Sequence, residues 1–520
     1  MKTVLIQCPV WGTREPPLAL AQLSSCLKSS GHETRAFDLN NYLYRKRAEG
    51  IKNLWAWEQS SFWYDQASVR SFFEENSKDI DAFTEDVLQY GPRLAGFSVA
   101  SSNYNASVEL SKVLKKKDPS LKILFGGQVY LDRARIAQSL IAGAVDFIID
   151  GEADEALPEL AGIIENGGDV LSCAGLFFKD GEKLVNTGAR PLIKDLDSLP
   201  YMDYTDLKIE DYDDTVHISL MTSRGCVWNC AFCSSRTYWK GYRYMSGERI
   251  HQEITYHRTM QKVGMSHVDF MDLAFNGNMD RVVDFASLMV KYPPYPADYK
   301  MQWISNAIIH PGFDKKNLEL MARSGCQRLI FGIESGSRNV LKHMRKNYDP
   351  EVAVRVIRDA GEAGIRTTCN FMFGFPGETE EDFNETLEFL KRIAPYVERV
   401  YPSRTYCAIE EFSPLHDSPQ LFGIKTPVNH HLYWETEDGK NTYPIRLKRC
   451  QKFEKLCSEL GVRVDCGVKT LVELDEYYNL GYYYEHAGDI KNALRCFKDY
   501  LNLDPGSSMI KRKVLELEKK

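Results

Sequence analysis

No apolar run in this 520-residue chain approaches the ~18–20 residues that a membrane-spanning helix needs, so an integral helical membrane protein is excluded. Basic charge is in deficit. There are 65 lysines and arginines against 72 aspartates and glutamates, a net charge of −7 with the signs mixed along the chain. A nucleic-acid footprint would show as a basic stripe and a high isoelectric point; neither is present, and no nucleic-acid partner is expected. The start, Met1-Lys-Thr-Val-Leu-Ile-Gln, lacks the long apolar core of a signal peptide and reads directly as a first strand. A disulfide framework is missing too. Thirteen cysteines are an odd count scattered over a long chain, a usage that fits the reducing cytoplasm, where thiols stay free or bind metal. A cytoplasmic location is therefore expected.

What is present is an ordinary composition and one unusual spacing. An apolar fraction of 43% and a charged fraction of 26% are those of a soluble globular protein. The length suggests two to four domains. The spacing is Cys226-x3-Cys230-x2-Cys233, within Arg224-Gly-Cys-Val-Trp-Asn-Cys-Ala-Phe-Cys. It places three thiolates on one short loop, close enough to grip three corners of an iron–sulfur cube. Protein-bound 4Fe–4S clusters normally take four cysteines, so a set of three leaves one iron open to another ligand. A Cys-x2-Cys pair alone could be half a zinc site or a thioredoxin-like pair. Zinc needs a fourth Cys or His at compatible spacing, and none lies nearby before His251. Cys450, Cys457 and Cys466 form a looser group that matches no iron–sulfur pattern and reads as dispersed thiols.

Residues 1 to about 165 alternate short apolar runs, at 3–7, 34–38, 94–100, 121–126 and 145–149, with helical stretches such as 103–117 and 153–166. That alternation argues for a parallel, doubly wound α/β sheet with its ligand edge at the carboxyl ends of the strands. Those ends carry Cys8-Pro9, Ser98 to Ser102, Gly126-Gly127-Gln128 and Gly151-Glu152. From His217 onward, strand-like segments recur near 217–222, 267–272, 301–305, 328–333, 366–373 and 398–406. Between them, the stretch 350–363 sets Val352, Val356, Ile357 and Ala360 along one helical face. The segment 407–440 is irregular and rich in proline and aromatic residues, as a lid would be. Its His430-His431 pair reads as surface histidines.

The cysteine motif resembles that of the radical S-adenosylmethionine (SAM) superfamily. The rest of the chain resembles its cobalamin-binding, class B methyltransferase-like subgroup. Features that carry the second resemblance are Pro16-Pro17, Gly31-His32-Glu33, Gly126-Gly127, Asp150-Gly151-Glu152-Ala-Asp154 and the Asp195-Leu-Asp-Ser-Leu-Pro connector. The resemblance implies an N-terminal doubly wound Rossmann-like cobalamin-binding domain over 1–190 and a linker over 191–215. A radical SAM partial (β/α) barrel with its lid segment would follow over 216–440, then a small helical region over 441–520.

It further implies roles for single residues. Cys226, Cys230 and Cys233 would hold a 4Fe–4S cluster whose open iron chelates the amine and carboxylate of SAM. Phe232 would pack near the adenine, and Arg243 would help position the cluster loop. Glu334 and Ser335, in Gly332-Ile-Glu-Ser-Gly-Ser337, would contact the SAM ribose or amino-acid portion, where a carboxylate can accept hydrogen bonds from hydroxyls or an ammonium. The plainer alternative for Glu334 is a helix amino-terminal carboxylate that favours the dipole. Gly374 and Gly377 would border adenine. Ser98, Gly126 and Gly127 would lie on the corrin edge, where glycine lets backbone approach a flat ring closely. Asp272 is either a substrate- or SAM-side group or simple turn chemistry.

His32 is the only histidine in the first 216 residues, and its Ser-Gly-His-Glu context does not fit the Asp-x-His-x-x-Gly motif that ligates cobalt. It should sit at the amino end of a strand, away from the ligand edge. Near the carboxyl end, Tyr477, Leu480, Gly481, Tyr484, Ala493, Phe497 and Pro505 follow the spacing of one tetratricopeptide unit over about 474–507. One unit cannot bury its own apolar face, so it would pack on the core or form a dimer or partner contact.

Together these features point to a radical SAM enzyme that uses cobalamin to methylate an unactivated carbon of a small-molecule, lipid or peptide substrate. An electron donor such as flavodoxin or ferredoxin would feed the cluster. Cyclisation, oxidation or rearrangement with cobalamin structural or absent is the alternative, and a cluster- or corrin-bearing scaffold or sensor is the reading from another class.

Overall fold

Val4, Leu5 and Ile6 are buried on both faces of their strand, as expected of a central strand in a sheet covered by helices. In the computed structural model, which describes residues 1–56, 59–128, 133–214, 217–259, 266–295, 301–465 and 469–519, the chain divides into two units. The first comprises 1–225, 242–272 and 280–303, and the second 226–241, 273–279 and 304–520.

The first unit is built on β1 (Lys2–Gln7), β2 (Glu33–Asp38), β3 (Leu94–Ser98), β4 (Lys122–Gly126), β5 (Phe147–Ile149), β6 (Leu176–Asp180) and β7 (Lys183–Asn186), in spatial order β2-β1-β3-β4-β5-β6-β7. The first five run parallel, with helices such as Leu18–Ser29, Tyr104–Lys117 and Ala153–Asn166 between them. The order reverses at β1, so the ligand edge of this doubly wound sheet lies at the carboxyl ends of β1 and β3. The sheet is not wholly parallel, however. β6 and β7 extend it as an antiparallel hairpin. Only Leu176, Phe177 and Phe178 of that hairpin are buried, too short an apolar run to stand out in the sequence.

The connection from β2 to β3 carries a block of helices, Leu39–Arg45, Glu49–Lys52, Ser60–Tyr64, Gln66–Glu75 and Ser77–Gln89, that the periodicity did not reveal. Its apolar content is largely aromatic. Trp55, Phe62, Trp63 and Phe72 meet edge to face with ring centroids 5.3–6.3 Å apart, and the Trp63 indole N–H donates to the Leu54 carbonyl at 2.7 Å. The expected linker is also no loose tether. Leu196, Leu199, Met202, Tyr204, Leu207 and Tyr212 are all buried, and Lys28 holds Asp203 at 2.7 Å and Asp206 at 3.2 Å.

The same unit contains the parallel pair β8 (His217–Leu220) and β11 (His267–Phe270), and a two-stranded antiparallel ribbon, β9 (Ser223–Arg224) with β10 (Arg243–Tyr244).

In the second unit, β12 (Gln302–Ala307, whose larger part lies here), β13 (Cys326–Glu334), β14 (Arg366–Phe371), β15 (Arg399–Pro402) and β16 (Arg463–Val464) are neighbours in that order. β13 through β16 pair in parallel. Helices Lys315–Arg323, Pro350–Glu362 and Glu380–Ile393 return the chain between strands, the β/α repeat of a barrel wall. Helix Pro350–Glu362 starts with proline after an Asp349 side chain that caps Glu351 N–H, and it buries Val356, Ile357 and Ala360.

The segment 407–440 is not a free lid. Cys407, Ile409, Leu415, Ile424 and Trp434 form one apolar cluster with Ala231, Val340, Met344 and Phe375. Of the two histidines read as surface residues, His431 is exposed, whereas His430 is half-buried and its ring stacks on Tyr433 at 4.0 Å. Helices Lys469–His486 and Ile490–Leu503 pack on each other, with Gly481 leaving room for the Phe497 ring, and Ser508–Leu517 follows. A Cβ at Gly481 would lie 2.4 Å from Phe497 Cε1. Among the described residues no helix is long and apolar enough to cross a membrane.

Candidate functional site

The cysteine loop belongs to the second unit. Cys226, Cys230 and Cys233 are partly exposed, whereas every other described cysteine is buried, Cys450 and Cys457 included. Cys466 lies outside the described residues. The loop is pinned from behind by Ala231, which is wholly buried between two of the thiols. Its N–H donates to the Met344 carbonyl, and its own carbonyl accepts the Leu415 N–H, each at 2.9 Å. Ser234 N–H donates to Glu410 Oε2 at 3.2 Å. Residues 407–434 of the 407–440 segment expected as a lid thus form the wall against which the loop is set.

Among the described residues no three His, Cys, Asp or Glu side chains are grouped as a single metal ion requires. The three thiols still feel one another's charge. Three partly exposed thiols on one loop fit a multi-iron cluster, whose thiolates bind different irons. Burial pushes the Cys230 thiol up to about 12, and the Lys346 ammonium opposes that shift.

Lys346 is the residue that sequence reasoning missed. Its side chain is only 5% exposed; it donates to the Gly332 carbonyl and pairs with Glu334 Oε1 at 3.2 Å. The ammonium also sits 5.4 Å from the Trp228 ring and 6.0 Å from the Phe232 ring, the two aromatics of the cysteine loop. Trp228 in turn stacks on Tyr348 at 5.8 Å. In the sequence, Lys346 stands in the basic run Arg345-Lys346, which looks like solvated surface.

Glu334 ends β13 at φ +66° after a register shift, a conformation a non-glycine residue adopts only when its surroundings impose it. Gly332 makes that possible: a Cβ there would lie 2.6 Å from Glu334 Oε1. Ser335, by contrast, is fully buried, with its hydroxyl bonded to Thr386 Oγ1 at 3.0 Å and accepting the Ser337 N–H at 3.1 Å. Its visible work is to hold the turn that presents Glu334.

Gly374 and Gly377 both have positive φ. Gly374 N–H donates to Glu378 Oε2 at 2.6 Å, and its carbonyl accepts from Asn441 at 2.8 Å. A Cβ on Gly374 would strike Arg446 Cγ at 2.3 Å. Glycine is required there by the protein's own packing.

In the first unit, Arg243 forms a two-pronged pair with Glu152, at 2.6 and 3.0 Å, and donates to the Ile193 carbonyl at 2.7 Å. Asp272 is wholly buried; it accepts the Thr222 and Ser223 N–H groups at 2.7 and 2.9 Å and pairs with Arg281 at 2.9 Å. Of its two readings, the structural one describes it. At the ligand edge, the Ser98 carbonyl accepts from Asn103 at 3.1 Å. Gly127 has φ +137°, and a Cβ there would lie 1.9 Å from the Val99 carbonyl oxygen, so this glycine too is demanded from within. His32 precedes β2 at its amino end, its ring bonded to the Pro158 carbonyl and facing Glu165.

Residues 220–390 match the radical SAM superfamily. An uncharacterised methyltransferase of Pyrococcus horikoshii is 27% identical over 332 residues, covering 62% of this chain and 70% of that protein. An anaerobic magnesium-protoporphyrin IX monomethyl ester cyclase of Synechocystis is 26% identical over 322 residues, 59% of this chain and 61% of the cyclase. Among solved structures, the radical SAM methyltransferase TsrM from Kitasatospora setae, determined with cobalamin and a [4Fe-4S] cluster bound, superposes with a TM-score of 0.64. That likeness covers 96% of this chain and 99% of TsrM at 15% identity, and it shows a shared fold.

Proposed function

We propose that this chain, a radical SAM protein through residues 220–390, carries a 4Fe–4S cluster on Cys226, Cys230 and Cys233 and binds SAM beside it. We further assign cobalamin to the N-terminal sheet and methyl transfer to an unactivated carbon as the reaction. The observation that carries the reading is the cysteine loop itself: it bears the only partly exposed thiols among the described cysteines, three of them, on a wall of buried side chains. When bound, the cluster supplies the electron that cleaves SAM reductively, and the corrinoid supplies the methyl group.

The protein's own residues then have definable tasks. Ala231, Leu415 and Met344 fix the loop from behind by backbone hydrogen bonds. Lys346 offers a buried cation to the carboxylate of SAM, and Glu334 offers an acceptor to its ammonium or ribose. Phe232 and Trp228 give a flat apolar surface that keeps water from the reacting atoms. On the N-terminal edge, Ser98, Gly126 and Gly127 would border a corrin, and His32 sits at the opposite strand ends, bonded to the Pro158 carbonyl. An external one-electron donor of the flavodoxin or ferredoxin type completes the system.

A second reading, cyclisation or oxidation with cobalamin absent or structural, is favoured by the similarity to the cyclase. Cobalt content and the visible spectrum of protein purified anaerobically, with corrinoid supplied during expression, separate the two. Near-stoichiometric cobalt together with S-adenosylhomocysteine formed in turnover supports methyl transfer; iron without cobalt, or cobalt without that product, overturns it in favour of cyclisation or oxidation.

A further inference from the structure

The ribbon of β9 and β10 pairs the two stretches of chain that flank the cysteine loop in sequence, and it sets Arg224 directly opposite Arg243. Like charges facing each other across two strands repel, and the ribbon has only two residue pairs, continued by the Met245 N–H donating to the Thr222 carbonyl at 2.8 Å. The pairing therefore depends on what neutralises the two guanidinium groups. Arg224 makes a two-pronged pair with Asp154 at 2.7 and 2.9 Å, and Arg243 makes one with Glu152 at 2.6 and 3.0 Å. Glu152 also lies 3.4 Å from Arg224, so one carboxylate bridges both arginines. Three of the four side chains are 6–7% exposed and the fourth 12%, which leaves little screening by solvent.

Both carboxylates come from the junction between β5 and helix Ala153–Asn166. The opposite side of the ribbon is held separately. Arg281 donates to the Thr222 carbonyl at 2.7 Å, and Asp272 accepts the Thr222 and Ser223 N–H groups.

We propose that Glu152 and Asp154 are positioning residues for the iron–sulfur site: they neutralise the Arg224–Arg243 pair and thereby hold together the two chain positions from which the cysteine loop departs and to which it returns. The inference rests on the reading of that loop as a cluster site. It goes beyond that reading by assigning two acidic residues, distant in sequence from the cysteines, to the geometry of the cluster.

The test uses full-length protein reconstituted anaerobically with iron and sulfide. The variants are Glu152→Gln, Asp154→Asn and the charge-cancelling double variant Glu152→Gln/Arg243→Met. Iron per chain and the electron paramagnetic resonance spectrum of the reduced protein, with and without added SAM, are the readouts, and circular dichroism reports the fold. Removing one partner of a buried pair is strongly unfavourable, so each single variant should lose about tenfold or more of the SAM-responsive cluster signal. The double variant, with no unpaired charge and no facing arginines, should recover most of it. Single variants that load iron and respond to SAM as the wild type does overturn the proposal. A folded double variant no better than Glu152→Gln overturns it as well. If Glu152→Gln does not fold, Asp154→Asn and the double variant are read by the same criteria. Wild-type protein that takes up no iron would instead strike the cluster reading itself, a result the variants cannot imitate.

Discussion

Replacing Lys346 with methionine removes the charge but keeps the length of the side chain, and the structure sets the size of the effect. The pair with Glu334 is 3.2 Å long, with side chains 5% and 14% exposed, so it behaves as a buried ion pair and not a surface one. Breaking such a pair from one side costs about 3–5 kcal/mol, because Glu334 is left charged and unpaired. The Gly332 carbonyl loses its donor too, and two cation–π seats worth roughly 0.5–2 kcal/mol each are emptied. Urea unfolding of the apo-protein under anaerobic conditions, followed by tryptophan fluorescence, measures the loss. Glu334→Gln/Lys346→Met should recover the share owed to the unpaired carboxylate, since neither charge then remains, while the Gly332 and cation–π contacts stay lost. SAM binding should stay weak in both variants. A loss under about 1 kcal/mol, the scale of an exposed pair, would refute the reasoning. So would a double variant as unstable as the single one.

Gly127→Ala should be severe for a different reason: its Cβ would meet the Val99 backbone oxygen at 1.9 Å, and backbone cannot rotate aside. About 3 kcal/mol of destabilisation is expected from the Gly-only conformation and the overpacking together, read as a lowered urea midpoint; a wild-type midpoint would contradict the placement of that turn. Burial, with the charges of His431 and His486, lowers His430 from 6.5 to about 4. The unfolded chain therefore binds the proton first, and stability should fall as pH drops from 6.5 towards 4. His430→Phe should flatten that dependence in thermal melts at a series of pH values, and an unchanged slope would remove His430 as its source.

Much of this molecule was legible in the sequence. The apolar runs of β1 to β5 are short and bounded by turn residues, and the cysteine spacing is a chemical signature that needs no fold to be read. Other parts were hidden for physical reasons. The helical block between β2 and β3 is glued by Trp55, Trp63 and Phe72, whose rings reach partners at spacings no simple period describes. Segment 407–440 looks like a lid because proline and histidine interrupt it, yet its isolated apolar residues converge only in three dimensions, behind Ala231. Lys346 gave no local signal, since only the fold brings Trp228 and Phe232 to it. Arg243 was expected beside the cysteine loop, but its partner, Glu152, is distant in sequence, and nothing in the neighbourhood of either announces the other.

The most direct test of the account is the yield of 5′-deoxyadenosine from SAM under strong reductant, compared between wild-type protein and the variant with Cys226, Cys230 and Cys233 all replaced by alanine. The account predicts that the wild type binds iron and forms the product and that the variant does neither. Product formation at the wild-type level in the variant would contradict it.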